Sequence, residues 1–242
     1  MPPISQVEVE LTRGHVDEDQ VAHRDVIFGR RITGRDLFSL DTDPQSEIPT
    51  QRQDLIIRRA ITKFGTLPLP VPLNTLLDLP RSDRRLLIEG YNRFSIESAG
   101  DRTSEMITSS KARMAFGFKL NGLTYDVATF GNGLTGRDDV AADMLDLKGL
   151  SRACYMVGKE IVQLSQSAGD HILDGPVELQ KFEGLDGADI YLLIAASEAW
   201  NESFFRPREK VQGERGREDG LSAGVGDGVE RGINPQHDSS ET

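Results

Sequence analysis

The stretch FGRRITGRD, residues 28–36, recurs as FGNGLTGRD, residues 130–138. Six of the nine positions are identical, and the two copies lie 102 residues apart. A second pair of similar stretches follows in the same order, LPRSDRRLLIEGYNRF at 79–94 and LDGADIYLLIAASEAW at 185–200. Two ordered matches with nearly equal spacing favour an internal duplication over the alternative, coincidence in a helix-rich sequence.

Local patterns predict a short strand pair followed by helices in each half. Residues 118–130, FKLNGLTYDVATF, alternate in polarity around Asn121-Gly122, a dipeptide that favours a tight hairpin turn. Residues 51–65 and 149–166 carry apolar side chains at helical spacing. We therefore predict an α+β, mainly helical fold of two tandem repeats, each a small β-hairpin followed by about three helices, with a disordered C-terminal tail.

Composition along the chain predicts four parts. Residues 1–94 form the first repeat unit, a polar Ser/Thr-rich segment at 95–117 is the linker, and residues 118–205 form the second unit. Residues 206–242 are rich in glycine and charge and have almost no large apolar side chains. Because this tail cannot bury enough apolar surface to offset its ordering entropy, we expect it to be disordered.

The Thr-x-x-Asp pattern inside each copy of the repeated stretch predicts the start of a helix. Thr33 and Thr135 are placed as N-cap residues, with Asp36 and Asp138 at the third helical position. There a carboxylate reaches back to the amide of the cap residue and also interacts favourably with the helix dipole. Capping therefore explains these repeated acids better than a catalytic or metal-binding carboxylate cluster.

Charge and composition limit the class of protein. A net charge of −11 argues against a dedicated nucleic-acid-binding protein, whose affinity would come from Lys and Arg. The single cysteine, Cys154, excludes an internal disulfide framework and suits a reducing compartment. No segment resembles a signal peptide or a membrane-spanning helix. We expect a cytoplasmic protein that has neither a membrane nor a nucleic acid as its partner.

The sequence does not predict a catalytic, cofactor or metal site. Its histidines are scattered and have no partner at metal-ligand spacing: His15, His23, His171 and His237. The run GNGLTG of the second copy formally fits a dinucleotide-binding motif, but the first copy, GRRITG, lacks the middle glycine. We expect a protein that binds other proteins, without a cofactor or metal and without enzymatic activity.

The order of the segments resembles the tail assembly chaperones of tailed bacteriophages. The stretches that carry the resemblance are DVIFGRRITGRDLFSL at 25–40, DLIIRRAITKFG at 54–65 and LLDLPRSDRRLLIEGYNRF at 76–94. Residues 24–94 match the family pattern well, and residues 118–204 match it less closely. The resemblance implies a chaperone that binds the tail tube subunit and the tape-measure protein in the host cytoplasm. Family members commonly have one such unit, whereas this chain has two similar halves.

The closing helix of each half has a broad apolar stripe. Successive residues of a helix are about 100° apart, so the run Leu-Leu-Ile covers more than half of the circumference. One face packs on its own half, and the other is available to the sister half or to a client protein. The predicted partner-binding residues are Leu87, Phe94, Leu193 and Trp200. Two alternatives remain open: a structural tail or baseplate protein retained in the virion, and an enzyme with an unrecognised site.

Overall fold

The computed structural model describes residues 5–205 of the chain. At the start of this range, segments of alternating polarity form an antiparallel sheet. In the stretch VEVEL, Val7 and Leu11 face the core while the glutamates lie on the outer side. The strand order is β1-β2-β3, with the bounds Val7–Val16 (β1), Ala22–Phe28 (β2) and Ile61–Phe64 (β3).

A second antiparallel sheet has five strands in the order β4-β5-β6-β7-β8. The turn between β5 and β6 consists of Asn121 and Gly122, whose φ angles of 52° and 79° confirm the predicted tight hairpin. The strand bounds are Glu105–Thr108 (β4), Lys111–Leu120 (β5), Leu123–Phe130 (β6), Ile161–Ser165 (β7) and Ile172–Asp174 (β8).

Helices connect and cover the two sheets. Their bounds are Gly34–Asp41 (α1), Pro49–Ala60 (α2), Leu73–Leu77 (α3), Arg81–Glu97 (α4), Gly136–Met144 (α5), Gly149–Glu160 (α6), Leu179–Phe182 (α7) and Gly187–Phe205 (α8). Helix α4 packs on β1, and α8 packs on β5. A single hydrophobic cluster includes side chains from both sheets and both closing helices. Within this cluster, the rings of Phe118 and Phe182 pack edge to face, with 5.2 Å between the ring centroids.

The predicted mainly helical fold of two tandem hairpin-and-helix repeats is wrong. Residues 5–205 contain eight helices and eight strands, and the strands form two sheets of three and five strands. The error has a physical cause: ITKF (β3) and IVQLS (β7) follow α2 and α6 without a break. Their apolar residues continue the helical spacing, so they looked like the last turns of those helices.

Residues 95–117, which the sequence suggested as a linker, include the end of α4, all of β4 and part of β5. Charged residues on the exposed sides of these strands hid the alternation that marks a strand. Residues 5–205 belong to one compact unit. None of the helices within this range combines the length and apolar character needed to cross a membrane. The tail predicted at 206–242 lies outside the described residues.

Candidate protein-binding cleft

A buried aspartate near the start of α4 holds a bulge in β1. The carboxylate of Asp83 accepts hydrogen bonds from the backbone amides of Thr12 (3.0 Å), Arg13 (2.9 Å) and Gly14 (2.8 Å). Gly14 has φ of +74°, and a Cβ there would collide with the carbonyl oxygen of His23. Burial alone would raise the pKa of Asp83, but the three amides outweigh it and lower the pKa. Asp83 therefore ties the helix to the sheet.

Asp189 makes the same kind of contact between α8 and β5. Its carboxylate accepts hydrogen bonds from the amides of Ala115 (2.7 Å), Phe116 (2.8 Å) and Gly117 (3.0 Å). The hydroxyl of Ser104 donates a further hydrogen bond to it at 2.7 Å. The shared Leu-x-x-x-Asp-x-x-Leu-Leu-Ile pattern thus encodes a helix that is clamped to a strand bulge, which is a structural role.

The two threonines predicted as caps stand at helix starts. Thr33 is the N-cap residue of α1 and Thr135 that of α5, and each forms a capping box with the aspartate three residues on. The amide of Thr33 donates to Asp36 at 3.0 Å, and the amide of Thr135 donates to Asp138 at 2.9 Å. The hydrogen bonds from the Thr135 hydroxyl and amide hold the pKa of Asp138 below its usual value.

The first copy of the repeated stretch docks on the segment that leads into α8. The Gly34 amide donates to the Leu185 carbonyl at 2.9 Å, and the Gly187 amide donates to the Ile32 carbonyl at 2.9 Å. Gly34 is buried here, and a Cβ at this position would collide with the carbonyl oxygen of Phe182. The close backbone approach explains why this first helical position carries glycine.

An arginine of the first copy connects several elements at this junction. The Arg31 guanidinium donates to both carboxylate oxygens of Asp186, at 2.6 and 2.9 Å, and to the Ser95 carbonyl at 3.1 Å. It also donates to the Ser98 hydroxyl and lies 3.9 Å from the centre of the Phe116 ring. Arg31 therefore neutralises a nearly buried carboxylate while it joins α4, β5 and the start of α8.

A cleft of about 310 Å³ opens beside this ion pair, between α2, α4 and the start of α8. Its floor is apolar and includes Phe94, and Tyr191 stands at its edge with half of its surface exposed. Other residues that line it are Arg31, Ile32, Gln53, Ile56, Tyr91 and Asp186. The cleft thus combines an apolar floor, two phenols and one charged pair.

The polar groups of the cleft are two phenols, two side-chain amides, a serine hydroxyl and one ion pair. Burial, with the negative charge of Asp186 and the neighbouring Tyr191, raises the pKa of Tyr91 to about 12, although Arg31 acts in the opposite direction. Tyr91 therefore remains a neutral phenol at physiological pH. Among the described residues that line the cleft there is no His, Cys, Lys or Glu.

The structure places the four predicted partner-binding residues mostly in the core. Leu87, Phe94 and Leu193 are buried, and Trp200 is half-buried against the same hydrophobic cluster. The three buried side chains therefore have almost no surface to offer a client. Only Phe94 reaches the cleft, where it forms part of the floor.

Other buried polar groups also have structural partners. Asp54 pairs with Arg84, and Glu160 accepts hydrogen bonds from Ser197 and Asn201. Burial, reinforced by the charge of Asp41, raises the pKa of the Cys154 thiol to about 12, as for a core residue. Within the described part of the chain, no three His, Cys, Asp or Glu residues are arranged to hold a metal ion.

Sequence reasoning missed the residues that define the cleft. Tyr91 and Tyr191 lie 100 residues apart, and only the packing of α4 near α8 brings them together. One signal was visible: the two copies differ at Arg31 and its counterpart Gly133. At this one of the three positions where the copies differ, Arg31 of the first copy binds Asp186, which a glycine cannot do. Comparisons of the chain with protein-family models, curated protein sequences and solved structures give no match.

Proposed function

We propose that the chain is a non-catalytic tail assembly chaperone that binds the tail tube subunit and the tape-measure protein in the host cytoplasm. The resemblance of residues 24–94 to that family supports the identity of the clients. The observation that carries the proposal is the cleft between α4 and α8, in which Tyr91 and Tyr191 border an apolar floor.

The composition of the cleft suits a protein client. Tyrosine is among the residue types that most often dominate protein–protein binding energy, and concave apolar surfaces are the usual places where ligands bind. A volume of about 310 Å³ accommodates a few apolar side chains of a client rather than a folded domain. The Arg31–Asp186 pair lines one wall of the cleft, and because its hydrogen-bonding groups are used within the chain it serves to hold that wall in place.

The roles of the buried acids support a non-catalytic protein. General acid–base chemistry requires a titratable group within hydrogen-bonding reach of a bound substrate. Asp83 and Asp189 are instead saturated by backbone amides away from the cleft, and Asp186 is held by Arg31. This distribution favours binding over catalysis.

The test is copurification of the full-length chain with a tail tube subunit and a tape-measure protein from the same source. We expect the chain to bring down at least one of them from a co-expressing cell and to be missing from purified intact particles. Retention in intact particles would instead favour the structural tail or baseplate alternative. Failure of the folded chain to bind either protein would refute the proposal.

A further inference from the structure

A groove made of two adjoining cavities lies on the surface of the second half of the chain. One cavity, of about 480 Å³, is bounded by α6, by the segment after α5 and by residues 176–180. The other, of about 450 Å³, is bounded by the turn between β5 and β6, by β8 and by α7. Gln180 lines both cavities, and none of their lining residues belongs to the cleft beside Tyr91 and Tyr191. We call the two cavities together the α7 groove.

Apolar side chains line both cavities of the α7 groove. Leu145, which is 60% exposed, and Leu147 stand in the first cavity. Leu173, which is 42% exposed, stands in the second. Concave surfaces with apolar walls are the usual places where a ligand or a partner binds. The groove therefore offers apolar surface to a partner in two places.

Three lysines line the α7 groove, and the chain does not pair them with carboxylates. Lys159 lines the first cavity, and Lys119 and Lys181 line the second. Within residues 5–205, the one lysine that forms an ion pair is Lys148, with Asp146. The three ammonium groups of the groove are therefore available to the carboxylates of a partner.

Lys159 keeps its positive charge although it has two neighbours. Its ammonium lies 5.1 Å from the centre of the Tyr155 ring, a contact that attracts the cation without neutralising it. Its charge also contributes to the lowered pKa of Asp138, but the hydrogen bonds from Thr135 are the larger causes. Asp138 is thus already occupied by its own cap residue.

The charge of the α7 groove is opposite to that of the chain. Its lining residues include three lysines and a single carboxylate, that of Glu178, whereas the whole sequence has a net charge of −11. Surfaces of opposite charge attract each other and orient the approach of a partner. The groove therefore favours a partner segment that carries acidic residues.

An acidic protein segment fits these walls better than a nucleic acid does. The net negative charge of the chain repels a long polyanion. Among the described residues that line the groove there is no arginine, the side chain that binds phosphate with two parallel hydrogen bonds. A peptide with both acidic and apolar side chains, by contrast, matches the lysines and also covers Leu145 and Leu173.

We propose that the α7 groove is a second protein-binding surface, which holds an acidic segment of a partner protein. Apolar side chains of this segment occupy the two cavities, and its carboxylates lie beside Lys119, Lys159 and Lys181. The groove and the cleft share no lining residue, so binding at the groove does not depend on the clients proposed for the cleft.

The first experiment measures the binding of a fluorescein-labelled synthetic peptide to the full-length chain by fluorescence anisotropy. In this peptide, leucines alternate with pairs of glutamates, so it carries both apolar side chains and negative charge. We expect saturable binding that weakens as the salt concentration rises, because salt screens exposed charges. The same peptide with lysines in place of the glutamates should not bind, and a single-stranded oligonucleotide of equal length should bind more weakly.

The second experiment places the peptide on the groove with charge-reversed variants. Lys119→Glu combined with Lys181→Glu reverses two exposed charges of the second cavity, and the affinity should fall about tenfold. The matched control, Lys63→Glu combined with Lys111→Glu, changes two exposed lysines outside the groove and gives the same total charge. This control should stay within about twofold of the wild-type affinity, because distant exposed charges are screened. Circular dichroism checks that both variants are folded.

A third experiment tests the first cavity separately, through its apolar wall. Leu145→Ser removes an apolar side chain from this cavity, and the affinity for the acidic peptide should fall about fivefold. Val140→Ser is the control, because Val140 is 58% exposed and precedes Leu145 on α5 but does not line the groove. A wild-type chain that does not bind the acidic peptide, an oligonucleotide that binds more tightly than the peptide, or a groove variant that binds as well as its control would overturn the proposal.

Discussion

Replacing Asp83 with alanine removes the contact that ties α4 to the bulge of β1. In the native fold its carboxylate accepts three amide hydrogen bonds of 2.8 to 3.0 Å. Alanine leaves the donors of Thr12, Arg13 and Gly14 without this acceptor. Water reaches the first two amides, which are partly buried, but the Gly14 contact is fully buried.

The expected loss of stability follows from these three contacts. A buried donor left unsatisfied costs about 1–3 kcal/mol, and a partly hydrated one costs less. One buried and two partly buried amides therefore give a loss of about 4 kcal/mol in the free energy of unfolding. With a urea dependence of about 2 kcal/mol per molar, the unfolding midpoint should fall by about 2 M.

The assay is equilibrium urea unfolding of the full-length chain, followed by circular dichroism. The matched control is Glu89→Ala on the same helix, which removes only an exposed ion pair with Arg85 and should cost about 0.5 kcal/mol or less. If Asp83→Ala and Glu89→Ala have the same midpoint, the clamp contributes nothing and the reasoning fails.

Three further predictions concern the junction and the clamp. Gly34→Ala should lower the free energy of unfolding by about 3 kcal/mol, because its Cβ collides with the Phe182 carbonyl oxygen, while Gly136→Ala should stay within about 0.5 kcal/mol of wild type. Equal losses in urea titrations would contradict this. Arg31→Lys should lower the free energy of unfolding by about 2 kcal/mol, because an ammonium cannot bind both oxygens of the buried Asp186 carboxylate in the bidentate way that a guanidinium does. An unchanged free energy of unfolding would show that the bidentate ion pair does not stabilise the fold. Amide hydrogen bonds lower the pKa of Asp83 in the folded protein, so the stability difference between wild type and Asp83→Ala should be full above about pH 5 and should shrink as the pH falls through the folded pKa. Urea titrations at several pH values check this, and a difference that does not change with pH would be inconsistent with it.

Local signals predicted the local features of the fold. Asn121-Gly122 indicated the turn between β5 and β6, because both positions tolerate positive φ. The strands β3 and β7 were missed since each continues directly from a helix, and a short apolar run does not by itself separate a strand from a last helical turn.

Contacts between distant residues were beyond the reach of local patterns. Asp83 and Asp189 lie near the starts of their helices, where an aspartate is also expected as a helix cap. Its position in the sequence therefore does not show whether it caps its own helix or binds a strand some 70 residues away. The apolar stripes of α4 and α8 indicated broad burial correctly, but not which residues would stay at the surface. Tyr91 and Tyr191 reach the cleft because of how the helices pack, which no local spacing encodes.

The most direct test of the proposed client binding at the cleft is the affinity of the full-length chain for a purified tail tube subunit from the same source, measured by calorimetry. Tyr191→Asp places a charge at the edge of the cleft, and the loss of an aromatic anchor should weaken binding at least about tenfold. Ile172→Asp, which is similarly exposed but lies on β8, should bind like the wild type. A Tyr191→Asp chain that is folded and binds with wild-type affinity would contradict the account.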